Sequence, residues 1–320
     1  MLVAPASADV IARLAQGRAD DLLSALSLAS ESPLAIAPAM NNKMWSNQAT
    51  MANLEVLRSR GVQVLGPASG DQACGEQGEG RLLEPMDIVA EMNRLLVPKK
   101  LQGKRVLITA GPTFEPIDPV RFIGNRSSGK MGFAVAQAAV EAGAEVTLIA
   151  GPVHLATPTG VNRIDVETAQ VMYENVMAKV GESDIFISCA AVADYRPVEW
   201  VKNKIKKTDQ NTLSIELEPT LDIVADVARQ EDKPFVVGFA AETQDVTAYA
   251  QEKLQRKGLD MIAANQVGNG LGFAVDQNAL AVFWPNGNHT LELASKAQLA
   301  RDLMTLIIEQ YDAKNTTKTA

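Results

Sequence analysis

The chain has 320 residues, 47% hydrophobic and 21% charged, with a net charge of -8. That is too long for one ordinary domain, long enough for two, and too apolar for disorder. The acidic balance, with Lys202 to Lys207 as the one basic cluster, argues against a nucleic-acid partner, and two cysteines exclude a disulfide framework or a four-cysteine zinc site.

No apolar run reaches membrane-spanning length, and Met1-Leu2-Val3 runs into Pro5 without a basic leader, so no membrane partner is expected and the cytoplasm is the expected compartment. Leu2 to Pro5 reads as the tail of a buried strand and Ala8 to Ala15 as the helix after it, so the first domain looks incomplete. Ser32 to Ala39 gives a second strand, Ala52 to Arg60 a helix closed by Gly61, and Val62 to Leu65 a third strand. Pro38-Ala39-Met40-Asn41-Asn42-Lys43-Met44-Trp45 follows the second strand. An amide such as Asn41 can donate to a carboxylate while its carbonyl accepts from a neighbour, but a polar turn with packed Met and Trp is the plainer reading. Cys74 lies in a glycine-rich loop, Ala73 to Arg81, where a thiol can act over a bound ligand or simply be a small turn residue. Asp87 to Leu96 reads as a helix and Pro98-Lys99-Lys100 as a linker, which divides the chain into residues 1–97 and 98–320.

From there strands and helices alternate, the pattern of a doubly wound parallel sheet. The strands are Arg105–Thr109, Glu145–Ile149, Arg163–Val166, Ile185–Ser188, Phe235–Phe239 and Met261–Ala264; helices fall near Met131–Ala142, Ala169–Val180, Ile223–Arg229, Val246–Lys257 and Lys296–Tyr311. Two stretches depart from the alternation. Lys204 to Glu218 reads as a charged turn and an alternating strand, and Ala279 to Leu293 as a hairpin centred on Asn286-Gly287. The polar tail from Asn315 is expected to be disordered.

Val106 to Gly132 is the stretch to which the chemistry is assigned. A strand breaks at Gly111-Pro112, a polar insert carries Arg121, Asn125 and Arg126, and Ser127-Ser128-Gly129-Lys130 opens a helix that either serine could cap. Strand, glycine-containing loop and helix start make an anion site, because free N–H groups and the positive helix end face the ligand. Gly124 to Lys130 spells seven positions of a P-loop, but Met131 stands where the metal-binding hydroxyl belongs, and no G-x-G-x-x-G occurs. Ser188 to Tyr195 follows a central strand, where small residues admit a flat ring and Asp194 could accept from a base or hold a metal; packing with Asp194 as an N-cap is the alternative. Cys189 ends an apolar strand, so burial is expected rather than reactivity. Lys204 to Lys207 could close over a polyphosphate or be a solvated turn, and Lys253 and Lys257 share a helical face. Neither His154 nor His289 lies beside a plausible nucleophile.

Taken together, ITAGPT, DPVRFIGNRSSGKMG, CAAVADYRP, KIKK and VGFAAET, with APASAD, PAMNNKMW and ACGEQGEGRL before them, resemble the bacterial bifunctional phosphopantothenoylcysteine decarboxylase / phosphopantothenate–cysteine ligase family of coenzyme A biosynthesis. The resemblance implies an incomplete flavoprotein-type parallel sheet followed by a Rossmann-like ligase domain with a small β flap. It also implies a reaction: the carboxylate of phosphopantothenate attacks the α-phosphate of CTP, giving an acyl-cytidylate and pyrophosphate, and the amine of L-cysteine then displaces CMP. Carried over, the CTP pocket comprises Ser188, Cys189, Ala190, Asp194, Leu221, Asp222, Ile223, Val224, Phe239, Lys253 and Lys257. Lys204 would meet the phosphates, Asn125 hold the acyl-cytidylate and Arg121 assist the cysteine step. Mg²⁺ or Mn²⁺ is implied with the triphosphate, and a homodimer or higher homo-oligomer in which a partner covers the site.

For the decarboxylase half the resemblance implies FMN, with Asn41 holding the substrate carboxylate and Cys74 as proton donor on a closing flap. The family also carries a strand, a phosphate-gripping loop and a catalytic histidine ahead of APASAD, where this chain starts. The expectation is therefore ligation without decarboxylation. Two other classes compete. One is a nucleotide- or flavin-binding protein without catalysis, which would have no reason to keep both Asn125 and Lys204. The other is a short-chain-type dehydrogenase, which lacks its glycine fingerprint here.

Overall fold

The structure is a computed structural model that describes residues 1–71, 77–96, 98–206, 213–242, 246–266 and 277–319. The chain divides into two compact units, Met1–Val97 and Pro98–Ala320.

The first unit runs β1 (Leu2–Ala6), α1 (Ala8–Gln16), α2 (Leu22–Ala29), β2 (Ala35–Pro38), α3 (Asn42–Trp45), α4 (Gln48–Ser59), β3 (Gln63–Val64), β4 (Ala68–Asp71), β5 (Gln77–Arg81) and α5 (Pro85–Leu96). Strands β1, β2 and β3 form a parallel sheet in that order. Ile11 and Leu14 of α1 and Leu54 and Leu57 of α4 bury against Val3 and Ile36. Helix α2 begins in a capping box between Asp21 and Ser24, a feature the sequence reading passed over. The expected glycine-rich loop is in part a hairpin: β4 and β5 pair antiparallel, and only residues 72–76 between them, Cys74 included, lie outside the described residues.

The second unit runs β6 (Arg105–Ala110), β7 (Phe114–Pro116), β8 (Phe122–Gly124), α6 (Lys130–Glu141), β9 (Glu145–Ala150), β10 (Val161–Asp165), α7 (Ala169–Val180), β11 (Ile185–Ser188), β12 (Tyr195–Pro197), β13 (Leu217–Pro219), α8 (Ile223–Ala228), β14 (Phe235–Glu242), α9 (Val246–Lys257), β15 (Met261–Gln266), β16 (Gln277–Trp284), β17 (Gly287–Ser295) and α10 (Lys296–Thr319). Eight strands form one sheet in the order β10-β9-β6-β11-β14-β15-β16-β17. The first six are parallel and the last two antiparallel. Both faces are covered, so central strands such as β11 read as unbroken apolar runs, while the edge strands β10 and β17 carry polar residues. Ile185 and Ile187 pack into the core beneath α6 and α10, while Phe186 points into the core beneath α7, α8 and α9.

Three expectations change. The alternating strand read over Leu213–Leu217 is only β13, three residues paired with β12. The hairpin turns at Pro285-Asn286 rather than Asn286-Gly287, with Gly287 opposite Trp284. A Cβ on Gly287 would stand 2.8 Å from the Trp284 ring, so the indole fills that corner. The tail from Asn315 continues α10 to Thr319 instead of fraying at once. Lys314 bonds Asp260 at 2.5 Å and Thr316 bonds back to Asp312, which tethers that last turn.

Candidate active site

The chain order of the strands reverses at β6, which has β9 on one side and β11 on the other. In open α/β sheets such a switch point leaves a crevice at the strand carboxyl ends, because the connections leave toward opposite faces. A cavity of about 630 Å³ lies there, lined by Asn125–Gly132 after β6, Ser188–Asp194 after β11, and Thr220–Val224. Gly238–Ala240 of β14, Lys253 and Lys257 of α9, and Asn278 and Lys296 complete it.

Backbone pairing extends past the strand ends and fixes the floor. Ala191 N–H donates to Gly111 O at 2.8 Å, and Pro112 and Ala191 form a parallel bridge. Buried Thr109 accepts from Ala190 N–H at 3.3 Å, and buried Thr113 from Ala193 N–H at 2.9 Å. Every residue from Cys189 to Val192 thus belongs to a rigid shelf of small side chains.

Helix α6 points its N-terminus into this cavity. The sequence reading had Ser127 or Ser128 as cap; the N-cap position is held by Gly129, at φ 74°, which has no side chain to cap the helix. The left-handed backbone is the reason, since it suits glycine and turns the chain into the helix without a serine at that position. Ser127 Oγ instead accepts from Gly129 N–H at 3.3 Å. The first turn of α6 therefore lines the cavity with the positive end of the dipole, a ready anion site.

The cations are differently placed. Lys257 is 2.6 Å from Asp222 and only 15% exposed at its side chain. Asp222 caps α8 through Ala225 N–H, and its carboxyl is held below the usual range: burial opposes ionisation, but the Lys257 bond, the Ala225 bond and the lysine charges outweigh it. Lys204 is exposed and does not line the cavity. Asn125 donates from Nδ2 to Val192 O at 2.8 Å, which ties the insert after β6 to the shelf after β11. Cys189 is half-buried on the cavity wall; desolvation pushes its thiol up to about 12, with Lys296 pulling the other way.

The cavity thus gathers Asn125, Ser188, Cys189, Ala190, Asp194, Leu221, Asp222, Ile223, Val224, Phe239, Lys253 and Lys257. Arg121 stands outside it, bonded to Asp118 and to Ile205 O at 2.7 Å. Asn278 and Lys296 are site residues that the sequence reading missed. One signal was legible: Lys296 is the first residue of α10, where a cation opposes the helix dipole, yet it is 8% exposed.

In the first unit, Asn41 caps the short α3 by accepting from Lys43 N–H at 2.8 Å. Strand β5 lies over this loop: Met40 N–H donates to Gly80 O at 2.8 Å, Asn42 to Gln77 O at 3.2 Å, and Trp45 Nε1 to Glu79 at 3.1 Å. The β4–β5 hairpin is therefore rooted on the Asn41 segment. Among the described residues no group of three or more His, Cys, Asp or Glu stands together to hold a metal, and no helix is long and apolar enough to cross a membrane.

Residues 101–311 match the family described as DNA/pantothenate metabolism flavoprotein C-terminal domain, and residues 1–97 match the flavoprotein family. The coenzyme A biosynthesis bifunctional protein CoaBC of Vibrio cholerae is 57% identical over 313 residues, covering 97% of this chain and 78% of that protein. The protein of the same name from Escherichia coli is 50% identical over 320 residues, covering 98% and 79%. A crystal structure of the C-terminal domain of a CoaBC protein superposes with a TM-score of 0.58 at 42% identity, covering 67% of this chain and 99% of that one.

Proposed function

The chain belongs to the family of bifunctional CoaBC proteins of coenzyme A biosynthesis, and from that premise we propose that its second unit joins phosphopantothenate to L-cysteine at the expense of CTP. The observation that carries the reading is the N-terminus of α6 lining a cavity at the sheet's switch point, with Lys253 and Lys257 on the same wall.

The chemistry follows from what each group offers. A bare carboxylate is a poor acyl donor, so it must first become a mixed anhydride. The α6 N–H groups and the two lysines hold the triphosphate and bear charge that grows as pyrophosphate leaves. The Cys189–Val192 shelf, with no long side chain, lets the ribose and base lie against backbone, and Phe239 offers an apolar wall. Asn125, oriented by its bond to Val192, holds the acyl-cytidylate at the cavity mouth. Lys204 reaches the phosphates from its loop, and Arg121 serves the cysteine step.

For the divalent ion, Asp194 supplies one exposed carboxylate on the cavity wall. That suits Mg²⁺ or Mn²⁺ bound through substrate phosphates and water rather than through an all-protein cage. For FMN in the first unit, half-buried Met40 and Asn41 offer an apolar surface and an amide beside a flat ring. FMN, when bound, supplies oxidation of the cysteinyl thiol side so that CO₂ can leave. The residues here would position the substrate: Asn41 at its carboxylate and Cys74, outside the described residues, as proton donor.

The reading includes a cytoplasmic location and a homo-oligomer. Val120, Phe122, Tyr195 and Trp200 are each at least half exposed on the elements that carry Arg121, Asn125 and Lys204, and a second copy would cover them. The test is product formation. Phosphopantothenoylcysteine should appear by mass spectrometry only when phosphopantothenate, cysteine and CTP are all present. CTP binding without product would favour a nucleotide-binding protein instead.

A further inference from the structure

Asp118 is 2% exposed and sits in the turn between β7 and β8, and its two carboxylate oxygens do different work. Oδ1 accepts from Val120 N–H at 2.8 Å and Arg121 N–H at 2.9 Å, closing the turn on itself. Oδ2 accepts from Arg121 Nε at 3.0 Å and from Ile205 N–H at 3.1 Å. Arg121 Nη2 completes the clamp by donating to Ile205 O at 2.7 Å. Both backbone polar groups of Ile205, the residue after Lys204, are thus held by one Asp–Arg pair.

A second foothold lies four residues earlier, where Val201 N–H donates to Ile117 O at 3.2 Å. Residues 202–204 therefore form a short arch with both feet on the turn at Ile117–Arg121. The same hairpin ends, on its other arm, at Asn125. Its root is fixed: Phe114 N–H donates to Glu167 O at 2.8 Å, and buried Glu115 accepts from Ala169 N–H at 2.8 Å at the start of α7. Phe114 and Phe122 stack across the two arms at 3.9 Å. One rigid hairpin thus sets the position of Lys204 relative to Asn125, although 79 residues separate them.

We propose that Asp118 is a positioning residue whose Oδ2 latches the Lys204 arch, and that Arg121, besides its part in the cysteine step, is the other half of that latch. The inference deepens the ligase reading and rests on it for the role of Lys204; the latch itself does not. An ionised carboxylate held by a guanidinium and three backbone amides is well suited to such a task, because charge-assisted bonds are short and directional. Burial opposes the charge, but these donors hold the Asp118 carboxyl below the usual carboxylate range.

Asp118→Asn separates the two oxygens. Asparagine keeps an acceptor for the turn amides but turns an NH₂ toward Ile205 N–H and the Arg121 guanidinium. The readouts are trypsin cleavage after Lys204 followed by mass spectrometry, CTP affinity by calorimetry, and the rate of pyrophosphate release. Cleavage after Lys204 should rise by about tenfold or more. Turnover should fall roughly 10- to 100-fold, as expected for a misplaced catalytic group, while CTP affinity changes by less than about threefold. Cleavage no faster than in the wild type, or turnover and affinity lost together, would overturn the proposal. Should Asp118→Asn not fold, Arg121→Gln leaves the carboxylate and its backbone donors in place and removes the guanidinium bonds to Asp118 Oδ2 and to Ile205 O; the same opening of the arch is expected, and a closed arch overturns the latch. Wild-type protein that releases no pyrophosphate while the variant arch opens would refute the ligase reading and leave the latch standing.

Discussion

Replacing Lys204 by glutamine separates binding from catalysis. The side chain is exposed and lies outside the cavity wall, so its ground-state attraction to the phosphates is screened by solvent. An exposed ion pair is worth about 0–1 kcal/mol, so CTP affinity should fall less than about fivefold. In the transition state charge gathers on the α-phosphoryl oxygens and the departing pyrophosphate. Removing one preorganised donor there costs roughly 2.7–4 kcal/mol, about 10²–10³ in kcat. The structure permits that contrast because the arch fixes the backbone of Ile205 next door while leaving the lysine itself unburied. Calorimetry gives the CTP Kd, and a coupled pyrophosphate assay at saturating CTP gives kcat. Equal losses in both would mean uniform binding and would refute the reasoning.

Lys257→Met should show the opposite signature. Its half-buried ammonium is 2.6 Å from Asp222 on the cavity wall, so CTP affinity should drop about 10- to 100-fold with a smaller change in kcat, and the reverse pattern would remove Lys257 from the pocket. Gly151→Ala would place a Cβ 1.7 Å from Pro112 O, whose residue bridges to Ala191 on the shelf. That overlap with backbone should cost at or above the top of the ~1–3 kcal/mol range for overpacking, read as a Tm lowered by several degrees; an unchanged Tm contradicts the packing. The Cys189 thiol, pushed up to about 12 by burial, stays protonated as pH rises through the ordinary thiol range. In Cys74→Ser protein, iodoacetamide at pH 8 should leave Cys189 unmodified, and labelling at the rate of a free thiol would show the site to be open.

Much of the second unit was legible because doubly covered strands leave a strong trace. Val106–Ile108 and Ile185–Ile187 are continuous apolar runs, each followed by small residues and separated by helical periodicity. The site at their carboxyl ends follows from the same alternation. What escaped was of three kinds. Strand β5 contains Gly78 and Gly80, both at positive φ, so the hairpin read as a loop: glycine satisfies the geometry but erases the alternating pattern. The helix cap failed because a serine two residues early looks identical in sequence to one in place. The contributions of Asn278 and Lys296 come from the antiparallel end of the sheet and the helix after it, and only folding brings them beside Cys189. Arg121 illustrates the limit of carrying a role by resemblance. Its DPVR spacing was visible, but its bond to Ile205, 84 residues on, was not.

The central proposal is that this site makes an acyl-cytidylate before cysteine enters. Rapid mixing of enzyme, CTP and phosphopantothenate without cysteine isolates that step. The account predicts close to one pyrophosphate per site, with CMP released only after cysteine is added. Absence of pyrophosphate, or release of inorganic phosphate and CDP in its place, would contradict it.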